Sequence, residues 1–284
     1  MAGMSIRRLL AALLLVAASS ARSEDRIVYV AFPTLAEPAL WEGAKLTLPP
    51  VPEGGRLPAV VIAHGSAGVD SRGARYAEAL AKAGIASLEV DMWAARSTRR
   101  GPAGRPKAVS ETLPDVYGAL KFLAAQPEID AARIGLMGFS WGGAVTMLSA
   151  TRAYAEPYAA QGLAFKSHAA FYPVCWVYNH VPGYGFAALA TAGLLIQAGA
   201  EDEYDETPDV CTDLVGSLPP EDRGKVDLRL YPGAGHGFDR AGEPLAANDP
   251  FSHRGKGGIM HMTYQPAAAE QSLSVLVAFF KRTL

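Results

Sequence analysis

The stretch that most restricts how this chain can fold is residues 133–148, RIGLMGFSWGGAVTML. Residues 134–139 are short, apolar and end against glycine, which predicts a buried strand running into a turn; residues 142–148 predict a helix. Ser140 stands at the junction, with Gly138 two residues before it and Gly142 two residues after. Passing from strand to helix at one residue strains the backbone there, and it demands small neighbours because strand and helix are brought together. The spacing Gly-x-Ser-x-Gly leaves the serine hydroxyl exposed at the C-terminal edge of a sheet. Behind it, unpaired amides of the helix N-terminus, that of Trp141 among them, face any negative charge developing on a bound carbonyl oxygen. The same five residues also arise by chance in Gly-rich chains, and the strand and helix on either side are what separate the two cases.

The remaining elements fit that junction. Residues 26–32 and 45–48 predict an opening pair of strands separated by residues 41–43, and residues 49–58 a loop. Residues 59–63 form an unbroken apolar run, suited to a strand buried on both faces. A helix over 76–83, a strand over 85–90 and an amphipathic helix over 112–125 precede the junction. Strands over 169–172, 194–198 and 227–231 and a closing helix over 266–282 follow it. Apolar strands alternating with helices predict an α/β fold, a mostly parallel twisted sheet with helices on both faces.

A serine hydroxyl is a weak nucleophile at neutral pH and needs a base held by an acid. In chains with this strand–serine–helix junction the order is Ser, then acid, then His. Asp202 follows the strand at 194–198 through Gly199, Ala200 and Glu201, and His236 follows the last strand among Gly233, Gly235 and Gly237. Catalytic roles are therefore expected for Ser140, Asp202 and His236, with Asp205 the alternative acid in a loop that also holds Glu201 and Glu203. The turn after the strand at 59–63 reads His64, Gly65, Ser66, Ala67, Gly68. Its small residues let a backbone amide reach a substrate oxygen, so the amides of Ser66 and Trp141 are the expected oxyanion donors. His64, Trp93, Trp176 and Tyr204 are the candidates for the substrate pocket.

With these residues, from about residue 57 to the C-terminus, the chain resembles the dienelactone hydrolase family of α/β hydrolases. The resemblance is carried by residues 64–68, 91–93, 138–143, 199–202 and 235–238. It implies an α/β-hydrolase fold and cleavage of an ester or lactone. The namesake enzymes use a cysteine nucleophile where this chain has Ser140, and a glutamate where it has Gly65. Serine requires the His236–Asp202 pair throughout, as in ordinary carboxylesterases.

Residues 1–23 predict a secretory signal: Arg7 and Arg8 lead an apolar run over 9–18, and small residues follow to Ser23. The run is too short to span a bilayer. Export to the bacterial periplasm or medium, with no membrane span after cleavage, is the expectation. Cleavage is expected after Ala21 or Ser23; removing residues 1–21 takes away two arginines and no acids, so the net charge moves from -2 to 24 minus 28, or -4. That acidity argues against a nucleic-acid partner, and the basic run Arg96, Arg99, Arg100 and Arg105 lies among Gly and Pro as a solvated loop would. The remaining residues, 24–284, predict one domain.

Cys175 and Cys211, each following a strand on one sheet edge in an oxidising compartment, predict a disulfide, with two buried thiols the alternative. Residues 241–264 are expected to be either a flap over the pocket or a surface insertion. His168, His180, His253 and His261 lack metal-ligand spacing, so neither metal nor cofactor is expected. The expected partner is a small ester or lactone. Acyl transfer, short-peptide hydrolysis and a non-catalytic binding role are the competing readings.

Overall fold

The computed structural model describes residues 24–96 and 104–284. The expected signal segment, and Arg99 and Arg100 of the basic run, lie outside them. One sheet dominates: β1 (Arg26–Pro33), β2 (Trp41–Leu48), β3 (Leu57–Ala63), β4 (Ala86–Asp91), β5 (Ile129–Phe139), β6 (His168–Phe171), β7 (Leu194–Gly199) and β8 (Val226–Tyr231). Their spatial order is β1-β2-β4-β3-β5-β6-β7-β8. β2 runs antiparallel to both its neighbours, and from β4 to β8 every pairing is parallel. The chain runs from β3 outward to β4 and then crosses back to β5. The crevice beyond the C-terminal ends of β3 and β5 is therefore a switch point, where α/β sheets bind ligands.

β3 shows why its run is continuous rather than alternating. Val60 and Ile62 pack on one face with Tyr76 and Leu80 of α1 (Ser71–Lys82), and with Phe280 of the C-terminal helix Pro266–Thr283. Val61 and Ala63 pack on the other, with Val116 and Leu120 of α2 (Leu113–Ala124) and Val145 of α3 (Trp141–Ser149). Both faces exclude water, so every position is apolar. The same burial corrects the expectation for α2: eight of its residues, Asp115 included, are buried, so it is a largely enclosed helix rather than an amphipathic surface one. Residues 41–43 are likewise not a break; they begin β2, where Trp41 pairs with Pro33 and Gly43 with Ala31.

The 241–264 stretch contains a second, two-stranded sheet, β9 (Leu245–Asp249) with β10 (Gly258–Met262). Its connecting turn is tied by main-chain bonds to the loop after β7: His253 N–H donates to Glu203 O at 2.9 Å and Arg254 N–H to Tyr204 O at 3.0 Å. The stretch is thus a hydrogen-bonded wall. Cys175 and Cys211 are joined, with Cα atoms 5.1 Å apart, linking the turn after β6 to the helix Asp209–Gly216 that follows β7. No helix among the described residues is long and apolar enough to cross a membrane.

Candidate active site

Ser140 has φ +52° and ψ −108°, outside the ordinary helix and strand regions, and its amide is tied to Phe171 O at 3.0 Å. Strain at one non-glycine residue persists only where the surroundings enforce it. They do so by contact: a Cβ on Gly142 would stand 2.2 Å from Ala63 O, and one on Gly138 2.2 Å from Gly142 O. Gly142 N–H donates to His64 O at 3.1 Å, which docks α3 on the loop after β3.

His236 Nε2 lies 2.9 Å from Ser140 Oγ, and its Nδ1 2.8 Å from Asp202 Oδ2. A carboxylate only accepts, so Nδ1 carries the proton and Nε2 is left to accept from the serine hydroxyl. Asp202 Oδ1 is occupied by the amide of Tyr204 at 2.9 Å, which fixes the carboxylate plane. The His236 loop approaches because β7 ends in glycine: a Cβ on Gly199 would meet Ala234 O at 2.2 Å. Glu201 N–H then donates to Ala234 O at 2.9 Å, joining acid loop to histidine loop. The imidazole is fully buried, with the rings of Tyr172 and Tyr204 at 4.8 and 4.4 Å between centroids.

Asp205, the alternative acid, is placed differently. Its carboxylate accepts from the amides of Cys175 at 3.0 Å and Trp176 at 2.8 Å, holding the short turn beside the disulfide. Burial, and then the nearby charge of Asp202, push its pKa up to about 7.

The loop after β3 bends back on itself, with Gly68 N–H donating to Gly65 O at 3.0 Å. Among the described residues the amides of Ser66 and Trp141 have no main-chain acceptor. A Cβ on Gly65 would lie 3.5 Å from Ser140 Cβ and 3.5 Å from Arg72 Nη2, so the glycine leaves that side of the serine to a guanidinium. Arg72 forks onto Asp70 and donates to Tyr172 Oη at 2.9 Å, while Tyr172 donates to the buried Asp239 at 2.7 Å. This network behind His236 was not foreseen, because a buried arginine in the first turn of an ordinary helix has no local signature.

Ser140 stands between two cavities. The narrower, about 30 Å³, is walled by Val109, Trp141, Ala144, Val177 and Tyr184 with Arg105 and Phe251 at its edge. The other, about 370 Å³, lies toward Ser66, Arg240, Met260 and Met262. Tyr204 borders both. The other pocket candidates are corrected. His64 is buried, with Nε2 accepting from Met92 N–H at 3.0 Å and Nδ1 2.8 Å from Gly65 O, and burial lowers its pKa to about 4. Trp93 turns its indole N–H to Ser66 O at 3.0 Å and so braces the loop instead of lining a cavity beside Ser140. Trp176 donates to Phe251 O at 3.0 Å and lines a separate hollow next to the disulfide. In each case a ring N–H found a carbonyl, which loop position alone does not reveal.

Residues 44–284 match the family model described as the dienelactone hydrolase family. The chain belongs to the dienelactone hydrolase family. An uncharacterized protein of Mycobacterium tuberculosis is 30% identical over 196 residues, and the chain spans 66% of that relative's length, just under two thirds. A Bradyrhizobium protein named as a probable 2-oxo-3-(5-oxofuran-2-ylidene)propanoate lactonase is 27% identical over 215 residues, 70% of this chain and 82% of that one. Among solved structures, a hyperthermophilic esterase from Pyrobaculum calidifontis superposes with TM-score 0.61 at 17% identity over 90% of this chain and 85% of that one, which shows the shared α/β-hydrolase fold.

Proposed function

We propose that this family member hydrolyses carboxylic esters or lactones through an acyl-enzyme on Ser140. The observation that carries the reading is the buried His236 ring, held at 2.8 Å from Asp202 and 2.9 Å from Ser140. Ser140 Oγ attacks the carbonyl carbon as its proton passes to His236 Nε2. Asp202 keeps the imidazole in the required tautomer and offsets the imidazolium charge. The amides of Ser66 and Trp141 receive the oxyanion; loss of one such donor in comparable sites costs about 10²–10³ in kcat. His236 then protonates the departing alkoxide, and a water activated by the same nitrogen releases the acid. Unequal cavities either side of Ser140, about 30 and 370 Å³, favour esters with one short arm and one larger arm.

Export is part of the same reading. It is supported by the charged, apolar and small-residue order of residues 1–23 and by a disulfide of the kind retained in oxidising compartments. The test of function is hydrolysis of p-nitrophenyl acetate and of a simple γ-lactone, followed by pH-stat, by the wild type and Ser140→Ala. Activity is expected in the first and absent in the second; equal rates in both would remove Ser140 from the chemistry.

A further inference from the structure

Arg105 lies at the edge of the narrow cavity, outside the Ser140–His236–Asp202 set, and at the sequence level it is one cation of a solvated loop. Its surroundings are those of a junction. Nη1 donates to Asp249 Oδ2 at 2.7 Å and Nη2 to Oδ1 at 3.0 Å, a two-pronged pair between residues 144 apart in sequence. Nη1 also approaches Ser66 Oγ at 3.4 Å. The guanidinium carbon sits 5.6 Å from the ring centroid of Trp141 and 5.5 Å from that of Phe251.

Asp249 is fully buried and its acceptors are filled. Besides Arg105 it takes the Tyr204 hydroxyl at 2.9 Å on Oδ2 and the amide of Phe251 at 2.9 Å on Oδ1. Tyr204 is the residue whose own amide holds Asp202, and whose ring packs on His236. One ion pair therefore touches the loop carrying Ser66, the indole of Trp141, the loop carrying the acid, and the end of β9. A charge-neutral brace would not need a planar fork, whereas this geometry uses it on a carboxylate and on two aromatic faces at once.

Resting on the hydrolase reading, we propose that Arg105 is a positioning residue: paired with Asp249, it holds the Ser66 and Trp141 amides in register with the Asp202–His236 couple. A displacement of about 1 Å in such groups costs up to roughly 10²-fold in rate, and it acts on the oxyanion rather than on the uncharged substrate. The pair thus governs kcat more than KM.

The experiment compares Arg105→Ala, Arg105→Lys and Asp249→Asn with the wild type on p-nitrophenyl acetate. Rates are normalised to the sites titrated by a fluorophosphonate, and inhibition by a trifluoromethyl ketone, which forms a charged hemiketal on the serine, is measured in parallel. Arg105→Ala is expected to lose about ten- to a hundred-fold in kcat per titrated site with KM moved less than about three-fold. Inhibition by the ketone should weaken by a similar factor, Arg105→Lys should recover part of the loss, and Asp249→Asn should fall in the same direction. If Arg105→Ala does not fold, Arg105→Lys and Asp249→Asn carry the test. A kcat per site within about two-fold of wild type, or a loss confined to KM or to the fraction of titratable sites, overturns the proposal. A wild type without turnover would instead overturn the hydrolase reading itself.

Discussion

Two buried aspartates three residues apart differ in what they hold, and their isosteric amides should separate them. In Asp202→Asn the group facing His236 Nδ1 can present N–H in place of a carboxylate oxygen. The imidazole proton then moves to Nε2, where it meets Ser140 instead of accepting from it. The comparable change in a Ser-His-Asp site costs about 10⁴ in kcat, or roughly 5.5 kcal/mol of transition-state stabilisation. In Asp205→Asn the side chain loses one of two acceptors, those for the amides of Cys175 and Trp176. Burial and the charge of Asp202 raise the pKa of Asp205 to about 7, and its carboxylate makes no hydrogen bond to His236. Its loss should therefore act on stability, by about 1.5–3 kcal/mol, with turnover changed less than about ten-fold. The assay is kcat on p-nitrophenyl acetate at pH 7.5 for both variants, alongside their thermal midpoints. An Asp205→Asn defect equal to or larger than that of Asp202→Asn would refute the assignment of the acid.

Further outcomes follow from the buried groups. Glu42 and Asp115 share Arg96 at the N-terminal side of α2, and burial with the neighbouring charge of Asp115 raises Glu42 to about 9. The folded protein thus keeps a proton that the unfolded chain releases near pH 4.5, and stability falls by up to about 1.4 kcal/mol per pH unit between those values. Glu42→Gln keeps a donor toward Asp115 without that slope, so its melting temperature should match wild type at pH 5 and exceed it by several degrees at pH 9; parallel curves in calorimetry would contradict this. Replacing Cys175 and Cys211 together by Ala removes a bridge spanning 36 residues. That should cost about 4 kcal/mol on the chain-entropy estimate and lower the melting temperature by roughly 8–15 °C, and an unchanged midpoint would show the bridge to be energetically idle.

What could be read from the chain, and what could not, divides along physical lines. The strands over 59–63 and 134–139 are legible because burial on both faces makes them unbroken apolar runs, 194–198 is interrupted only by the buried Gln197, and Ser140 is legible because only glycine tolerates the contacts at positions 138 and 142. Asp202 and His236 follow from the strands that precede their loops. β9 and β10 are five residues each, with exposed positions interspersed among sheltered ones, so they carry no run to detect. Arg105 reads as a solvated loop cation because its partners, Asp249 and the rings of Trp141 and Phe251, are distant in sequence. The indoles of Trp93 and Trp176 were expected at the pocket, yet each is held by a carbonyl that only the folded chain brings near.

The central claim is that Ser140 is the nucleophile activated by His236. The most direct measurement is intact-mass analysis of the folded protein after brief exposure to a fluorophosphonate, with peptide mapping and the Ser140→Ala variant in parallel. A single adduct on the peptide holding Ser140, formed with simultaneous loss of ester turnover and absent in Ser140→Ala, is the predicted result. An adduct on another residue, or turnover that survives complete labelling, would contradict it.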